Sequence, residues 1–457
     1  MKPDPTGGAF PPGFVWGAAT SAYQIEGSPH ADGKGESIWD RFVRIPGRVA
    51  DATTGDIACD HYRRDREDVR YMARLGLDAY RFSVAWTRVM PTGTGPVNTA
   101  GLDFYDRLVD DLLAHGIAPW VTLYHWDLPQ ALEDRGGWPA PETAAAFVDF
   151  ADAVTRRLGD RVGHWMTVNE PWEIGFLGYG LGVHAPGRSD LAAALAAIHT
   201  VLVAHGRAVD VIRANAAGAR VGLALDLVTC YPDRETPADR AASHKMDGHF
   251  NRWFLEPLSG NGYPADIVEL YGAAMPAVEE ADPAIIAAPL DFIGLNYYYS
   301  NWVRSGPGSN VVERRLAAEI VPPHVEDLTG MGWAVHPQGF EAALARLATT
   351  FPGREIVVTE SGAAYPDHGL RHGRIDDRER IRYHASYLQA LRGAILEGVP
   401  VRGYFAWSLL DNFEWQQGYG PRFGLIAVDG ATQRRTIKAS GAWYRDVIAA
   451  NTLDPSA

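Results

Sequence analysis

Residues 118–169 carry the pattern that decides the fold: APWVTLYHWDLPQALEDRGGWPAPETAAAFVDFADAVTRRLGDRVGHWMTVN. The short apolar runs Ala118–His125 and His164–Asn169 at its two ends predict β-strands. Between them, Pro141–Leu158 has apolar residues spaced by four, three and four positions, which places them on one face of a predicted helix. A strand, a helix and a second strand in this order predict a parallel βαβ unit.

The same alternation continues along the whole chain. Further strand-like runs are Phe14–Ala19, Ala79–Trp86, Val221–Leu227, Asp291–Tyr297, Glu355–Thr359 and Val401–Ser408. Together with the first two runs they make eight predicted strands, with helical patterns between most of them. This pattern favours an α/β protein built as a single (β/α)8 TIM barrel. Irregular stretches at about 26–58, 172–190 and 299–335 are expected to form extended βα loops around the mouth of an active site.

We expect one domain over residues 1–457, with flexible termini at about 1–9 and 452–457. The chain is long for one domain, but barrels with insertions reach this size. Hydrophobic residues make up 46% and charged residues 21% of the chain, as in soluble globular proteins. No linker or low-complexity segment marks a domain boundary.

Charge and cysteine content exclude several classes of partner. The net charge of −14 repels phosphate backbones and anionic lipid, so we expect no nucleic acid and no membrane partner. Met1–Phe10 lacks the pattern of a signal peptide, and we expect no membrane-spanning segment. Cys59 and Cys230 suggest no disulfide framework, which favours a cytoplasmic location. Without CxxC or HExxH patterns, we expect no metal site.

Polar and aromatic side chains end most of the predicted strands, where barrel enzymes carry their reacting groups. They are Gln24 and Glu26, Arg81, His125–Trp126–Asp127, Asn169–Glu170, Asn296–Tyr297–Tyr298, Glu360, and Trp407 with Asn412, Glu414 and Trp415. A single carboxylate could equally cap a helix or pair with an arginine. Two converging carboxylates, Glu170 and Glu360, fit glycosidic bond cleavage, which needs an acid and a second carboxylate on opposite sides of a sugar carbon. With indole rings and hydroxyl-binding groups nearby, the set predicts a sugar pocket.

Seven motifs carry a resemblance to a known family. They are Phe14–Gly17 continuing to Tyr23–Gly27, Tyr80–Ser83, Tyr124–Pro129, Thr167–Pro171, Asn296–Tyr298, Val358–Gly362 and Asp411–Trp415. In this order along the whole chain they resemble glycoside hydrolase family 1, the β-glucosidases and their relatives. Ser361 departs from the pattern, because the family usually has Asn directly after the nucleophile. This change concerns positioning near Glu360 and the rate, not the reaction class.

The resemblance implies a retaining mechanism with assigned roles. Glu170 is then the acid/base, and Glu360 is the nucleophile that forms a covalent glycosyl-enzyme. Arg81 keeps Glu360 ionised, and Tyr298 donates a hydrogen bond to the same carboxylate. No cofactor is implied.

The resemblance also implies a set of substrate-binding residues. They are Gln24, His125, Asn169, Tyr298, Trp407, Glu414 and Trp415, with Asn296 on the nucleophile side and Trp333 as the floor of the leaving-group site. Asn169 is expected to meet the sugar 2-hydroxyl. Taken alone, His125 would be interpreted as a core histidine, and Trp126 is interpreted as packing even within the motif.

The function predicted from these residues is exo-acting hydrolysis of terminal β-D-glucosyl residues, with galactosides and fucosides as further candidates. The partners are β-glucosides or short oligosaccharides, and a homo-oligomer is left open. A 6-phospho-β-glycosidase is the nearest alternative, but a phosphate site would have to stand where Glu414 and Trp415 are. Thioglucosidases replace the acid by Gln, whereas Glu170 is intact. A non-catalytic sugar-binding barrel is the alternative from another class.

Overall fold

The computed structural model describes residues 8–371 and 374–453. Eight parallel strands close into a barrel, and β1 pairs with both β2 and β8 to complete the ring. The strands are β1 Val15–Ala19, β2 Ala79–Ser83, β3 Ala118–Tyr124, β4 His164–Asn169, β5 Arg220–Asp226, β6 Phe292–Asn296, β7 Glu355–Ser361 and β8 Val401–Trp407. The predicted (β/α)8 barrel is confirmed.

Two strand ends differ from the prediction by more than one residue. The predicted second strand, Ala79–Trp86, ends at Ser83, because Trp86 already begins the short helix Trp86–Val89. The seventh strand continues two residues beyond the predicted Thr359 and includes Glu360 and Ser361. In both cases the apolar pattern shows the strand but not where its pairing stops.

Long helices form the outer layer of the barrel. They are α1 His61–Leu75, α2 Thr99–Ala114, α3 Glu142–Leu158, α4 Leu191–Asn215, α5 Pro337–Thr350, α6 Arg378–Leu396 and α7 Ala439–Ala450. Shorter helices span Ala22–Ile25, Ile38–Phe42, Trp86–Val89, Gln130–Glu133, Pro237–Asp247, Trp253–Leu258, Ala265–Tyr271, Asp282–Ile286 and Val311–Leu316. The helix predicted over Pro141–Leu158 is α3, and its four spaced apolar residues Phe147, Ala151, Val154 and Leu158 are all buried.

Helix α4 is long and apolar enough to cross a membrane by length and composition. Of its apolar window, 83% is buried inside the fold, where α4 packs against α3. Its apolar character therefore has a structural explanation within the outer layer of the barrel.

The loops predicted to be irregular contain regular structure. The stretch 172–190 begins with π-helical turns over Glu173–Gly180. The stretch 299–335 contains the strands Ser300–Ser305 and Ala318–Val321, which form a small sheet with Thr229–Pro232 from the loop after β5. The prediction of irregular loops was wrong here, because Ser300–Ser305 pairs with a segment about 70 residues away in sequence, which local patterns do not reveal.

Apolar side chains close the barrel below the carboxyl ends of its strands. Trp120 lies 5.0 Å from Phe405 and 5.5 Å from Phe292 between ring centroids. Met166 and Val357 are buried in the same cluster. The barrel interior is thus a packed core, which leaves its carboxyl end as the place for a site.

The two chain ends meet on the barrel. Within the described residues, Ala9 and Thr452 form an antiparallel bridge, and the Phe10 amide donates to the Asn451 carbonyl at 2.9 Å. Residues 1–7 and 454–457 lie outside the described residues, so the flexibility predicted for about 1–9 and 452–457 stays a prediction.

Gly362 provides a test of how tightly β7 and β8 approach each other beside the site. A Cβ atom at Gly362 would lie 1.7 Å from the Trp407 carbonyl oxygen. Because backbone must move to make room, we expect Gly362→Ala to lower the free energy of unfolding by about 3 kcal/mol. Urea denaturation measures this. Gly163→Ala is the matched control, since no heavy atom lies within 4 Å of its added Cβ; equal effects would contradict the close approach.

Candidate active site

A cavity of about 230 Å³ opens at the carboxyl ends of the strands. The predicted site residues that line it are His125, Glu170, Asn296, Tyr298, Trp333, Glu360, Trp407, Glu414 and Trp415. The other predicted residues, Gln24, Arg81 and Asn169, are buried and hydrogen-bond to side chains that line the cavity. The structure therefore brings the whole predicted set together.

Local backbone irregularities direct both glutamates into the cavity. The register of β7 shifts between Val358 and Glu360 against β6, and a bulge of this kind re-aims the side chain that follows it. Glu170 directly follows β4 and has a φ of 50°, in the left-handed region. Trp126 and Trp415 also have positive φ values, of 77° and 50°. Such conformations cost energy in non-glycine residues and cluster at functional sites.

The Glu360 carboxylate is held by two donors. One oxygen accepts a hydrogen bond from the buried guanidinium of Arg81, and the other accepts from the Tyr298 hydroxyl at 2.6 Å. Arg81 also donates to the side-chain oxygen of Asn169 at 2.6 Å and to Thr122 at 3.2 Å. The guanidinium therefore fixes Glu360 and orients Asn169 at the same time.

The Glu170 carboxyl group has only amide partners. Asn169 Nδ2 donates to one oxygen at 3.0 Å, and Asn296 Nδ2 donates to the other at 2.6 Å. The sequence analysis placed Asn296 on the nucleophile side. In the structure, the Asn296 amide contacts the acid Glu170 directly. The Asn296 side chain also acts to lower the pKa of Glu360. Asn296 thus lies between the two carboxyl groups.

These surroundings give the two carboxyl groups different protonation states. Burial, the charge of Glu360 and the charge of Asp226 raise the pKa of Glu170 well above its usual value. Burial also raises the pKa of Glu360, but Arg81 and Tyr298 act in the opposite direction. Glu170 therefore holds a proton while Glu360 is the anion, which is the division of roles required of an acid and a nucleophile.

Hydroxyl-binding groups line another side of the cavity. Gln24 Nε2 donates to Glu414 at 3.3 Å and to Asn412 at 3.0 Å. Burial and the Glu360 charge raise the pKa of Glu414 to about 8, so this group carries a proton over much of the neutral range. A protonated carboxyl can both donate and accept hydrogen bonds, as sugar hydroxyls require.

His125 lies between the acid and the aromatic rings. Its ring stacks on Trp407 at 6.0 Å and on Trp415 at 6.2 Å between centroids, and its Nε2 lies 3.2 Å from Asn169 Nδ2. Burial and Arg81 lower the pKa of His125 well below its usual value, so the ring is neutral. Its Nδ1 is buried without a hydrogen-bond partner. Trp126 donates to the Asn169 carbonyl at 3.1 Å, which agrees with a packing role.

The structure adds cavity residues that the sequence interpretation missed. They include Trp172, Glu173, His184, Asp226, Tyr299 and Met331. Asp226 is the last residue of β5, so the rule that strand ends carry function would have found it. Glu173 and His184 lie in the loop after β4, and no spacing in the sequence marks them.

In the described part of the chain, no three His, Cys, Asp or Glu side chains are grouped so that they could hold a metal ion. Cys59 is buried and Cys230 is partly buried, and both are free thiols.

Comparisons with known proteins agree with this site. The model of Glycosyl hydrolase family 1 matches residues 6–453. Beta-glucosidase A of Acetivibrio thermocellus is 43% identical over 445 residues, which is 97% of this chain and 98% of that protein. The bifunctional beta-D-glucosidase/beta-D-fucosidase of Bifidobacterium breve is 42% identical over 468 residues, covering 96% of this chain and 98% of that protein.

A solved structure of the family 1 β-glucosidase from Thermotoga maritima superimposes with a TM-score of 0.94 at 43% identity, covering 98% of this chain and 99% of that one. A Thermotoga maritima family 1 glycoside hydrolase, solved in complex with a cyclophellitol analogue that mimics the transition state, also superimposes with a TM-score of 0.94. The chain belongs to glycosyl hydrolase family 1. The family predicted from the seven motifs is confirmed, and so is the prediction of an enzyme.

Ser361 is the position where the family pattern changes, and it is fully buried. Its hydroxyl lies 3.5 Å from the Tyr383 hydroxyl, and its carbonyl oxygen lies 3.4 Å from the Tyr404 hydroxyl. We expect Ser361→Asn to fold and to keep most of its activity, because the amide can still bond to Tyr383. Glucosidase assays and thermal unfolding measure this.

Ser361→Val is the matched control for that substitution. It fills similar space but leaves the buried Tyr383 hydroxyl without this partner, so we expect a lower melting temperature than for Ser361→Asn. An inactive Ser361→Asn enzyme would show instead that the loop after β7 has been rebuilt around serine.

Proposed function

We propose that the protein is an exo-acting β-D-glucosidase that hydrolyses terminal β-D-glucosyl residues with retention of configuration. The observation that carries this proposal is the unequal surroundings of two carboxyl groups in one cavity. Glu360 is bound by a guanidinium and a phenol, whereas Glu170 is bound only by amides. A double displacement needs one carboxylate and one carboxylic acid at the same sugar carbon.

In the first step, Glu170 donates its proton to the glycosidic oxygen while a Glu360 oxygen attacks the anomeric carbon. The bond from that carbon to the leaving oxygen breaks, and a covalent glycosyl-enzyme forms. In the second step, the Glu170 carboxylate takes a proton from water, and the water oxygen attacks the anomeric carbon. The bond to Glu360 then breaks, so two inversions give net retention.

Positive charge develops on the sugar ring in both transition states, and the groups around the two glutamates are arranged to stabilise these states. Arg81 and Tyr298 orient Glu360 so that its carboxylate lies ready for attack. The Asn169 side-chain oxygen accepts a hydrogen bond from Arg81, which supports the proposed role of Asn169 in meeting the sugar 2-hydroxyl, a contact that strengthens in the transition state. Each of these groups is already in position before the sugar arrives.

The sugar itself is bound by the hydroxyl-binding and aromatic groups. Gln24, His125 and Glu414 offer hydrogen bonds to its hydroxyls, and Trp407 and Trp415 offer flat apolar surface. Trp333 forms the floor on the leaving-group side, where it packs 5.5 Å from Tyr298 between ring centroids.

We also propose one catalytic domain over residues 1–457 and a cytoplasmic location. The domain proposal rests on the barrel, whose first and last strands pair. The location rests on the free thiols of Cys59 and Cys230. Fucosides are proposed as further substrates because of the bifunctional Bifidobacterium relative, galactosides remain candidates from the sequence, and a homo-oligomer stays open.

Charge at the sugar end separates this function from a 6-phospho-β-glycosidase. No Lys or Arg side chain appears among the described residues that line the cavity, whereas Glu414 does. We expect a 6-phosphorylated aryl glucoside to be hydrolysed at least about a hundredfold more slowly than its neutral counterpart, because the described lining residues offer its dianion no cationic side chain and several carboxyl groups. Paired kcat/KM measurements test this.

The variant Glu414→Ser is measured with the same two substrates. We expect its kcat/KM to fall most for the neutral substrate, because the substitution removes hydrogen bonds to the sugar. If the wild-type enzyme prefers the phosphorylated substrate, the proposed substrate class is wrong.

Azide rescue tests the roles of the two glutamates. We expect Glu360→Gly to lose almost all hydrolysis, because the nucleophile is gone. Azide can then attack a dinitrophenyl β-glucoside from the vacated α face and give α-glucosyl azide. The products are separated and identified by NMR.

Glu170→Ala is the matched variant for the other carboxyl group. A dinitrophenyl leaving group needs no protonation, so the covalent intermediate should still form and then accumulate for want of a base. Azide needs no deprotonation and should release β-glucosyl azide with net retention. Swapped products, or the same azide from both variants, would show that the roles or the mechanism are wrong.

A further inference from the structure

Two carboxyl groups that neither the motifs nor the mechanism uses line the cavity beside the acid. Glu173 lies three residues after Glu170 and begins the π-helical segment Glu173–Gly180. Asp226 ends β5, the strand next to β4, and its register partner on β6 is Asn296. Glu173 therefore approaches the cavity from the same strand end as Glu170, and Asp226 approaches it from the end of the neighbouring strand.

Neither group is neutralised by a cation. The nearest charge partner of Glu173 is His184, whose Nδ1 lies 3.6 Å from Glu173 Oε2. Burial lowers the pKa of His184 to about 4, so this ring is neutral near pH 7. Over residues 8–371 and 374–453, no Lys or Arg nitrogen comes within 4.0 Å of the carboxyl oxygens of Glu173 or Asp226.

Glu173 is also incompletely hydrogen-bonded. Its Oε2 atom is buried and has no hydrogen-bond partner, although it borders a cavity that a substrate can fill. Buried carboxylate oxygens without partners are costly, so a donor supplied by a bound molecule would be favourable here.

The position of these groups relative to Glu170 defines what they would meet. The acid protonates the departing oxygen, so the leaving group extends along the wall that carries the acid. The sugar hydroxyls lie at Gln24 and Glu414, on the loops after β1 and β8. Glu173 and Asp226, on the β4 and β5 side, therefore face the leaving group and not the sugar.

We propose that Glu173 and Asp226 select the leaving group by charge, favouring aglycones that carry an ammonium group and rejecting aglycones that carry a carboxylate. This inference rests on the proposed glucosidase function and adds the chemical class of the aglycone. An ammonium group supplies both a countercharge and hydrogen-bond donors to two carboxylates, whereas an anionic group adds a further negative charge to a cavity that already contains Glu170, Glu360 and Glu414.

The protonation states of Glu173 and Asp226 make this selection depend on pH. Burial, Glu170 and Glu414 raise the pKa of Glu173 well above its usual value, and burial and Glu173 do the same for Asp226. The other titratable groups that face them are Glu360, the neutral His184 and Tyr299, whose pKa is also raised by burial. Groups with raised pKa are protonated at low pH and ionise as the pH rises, so discrimination between the two aglycones should be weakest at low pH and grow as the pH rises.

The experiment compares 4-nitrophenyl β-D-glucosides whose ring carries, at one position, a methyl, an aminomethyl or a carboxylate group. The measured quantity is the ratio of kcat/KM for the ammonium substrate to that for the carboxylate substrate, each normalised to the methyl substrate. In the variant Glu173→Gln/Asp226→Asn we expect this ratio to fall at least about tenfold at pH 7.5, while hydrolysis of the methyl substrate persists. Because the same substrates are used, differences in leaving-group reactivity cancel between enzymes.

The control variant Glu235→Gln/Asp160→Asn changes the net charge by the same amount at side chains that are 82% and 71% exposed. It should leave the ratio unchanged. Calorimetric binding of the corresponding thioglucosides, which are not cleaved, gives the same ratio without turnover. Failure of the wild-type enzyme to hydrolyse the methyl substrate would contradict the proposed function, whereas an unchanged ratio in the Glu173→Gln/Asp226→Asn variant, in both turnover and binding, would contradict the charge selection.

Discussion

The buried contact between Arg81 and Glu360 is the interaction on which the site depends. Both side chains are almost fully excluded from solvent, and a charge buried in this way is tolerated only when it is paired and hydrogen-bonded. Arg81 meets this condition with Glu360, Asn169 and Thr122, which come from three other strands of the barrel. One guanidinium thereby sets the ionisation of the nucleophile and the orientation of the amide beside the acid.

The barrel makes this arrangement possible because its parallel strands all end at one face. Small departures from regular strand geometry then direct the two glutamate side chains into the cavity. The bulge in β7 turns Glu360 toward the cavity, and the left-handed conformation of Glu170 turns the acid out of the line of β4. These backbone conformations are unfavourable in free energy, and the packed core below offsets that destabilisation. In this core, Trp120, Phe292 and Phe405 fill the barrel interior.

Five carboxyl groups share one cavity, and this determines its chemistry. Glu170, Glu173, Asp226, Glu360 and Glu414 do not all ionise readily together, because burial and the neighbouring negative charges raise their pKa values. Arg81 decides which group stays an anion. Glu170 holds the proton that it gives to the departing oxygen, and protonated Glu414 can donate a hydrogen bond to a sugar hydroxyl, whereas Glu173 and Asp226 ionise as the pH rises.

The barrel, the strand β4, the helix α3 and the two glutamates could be predicted from local sequence patterns, because they depend on short-range periodicity and on residue types within short motifs. The positions of Glu173 and Asp226 beside Glu170, and of Asn296 between the carboxyl groups, became visible only in the folded arrangement of the strands. The tertiary structure alone revealed the small sheet formed by Thr229–Pro232 with Ser300–Ser305, and the high pKa of Glu414. These features could not be predicted because contacts between distant segments and the protonation of buried groups depend on distances and burial, which no local pattern of residues encodes.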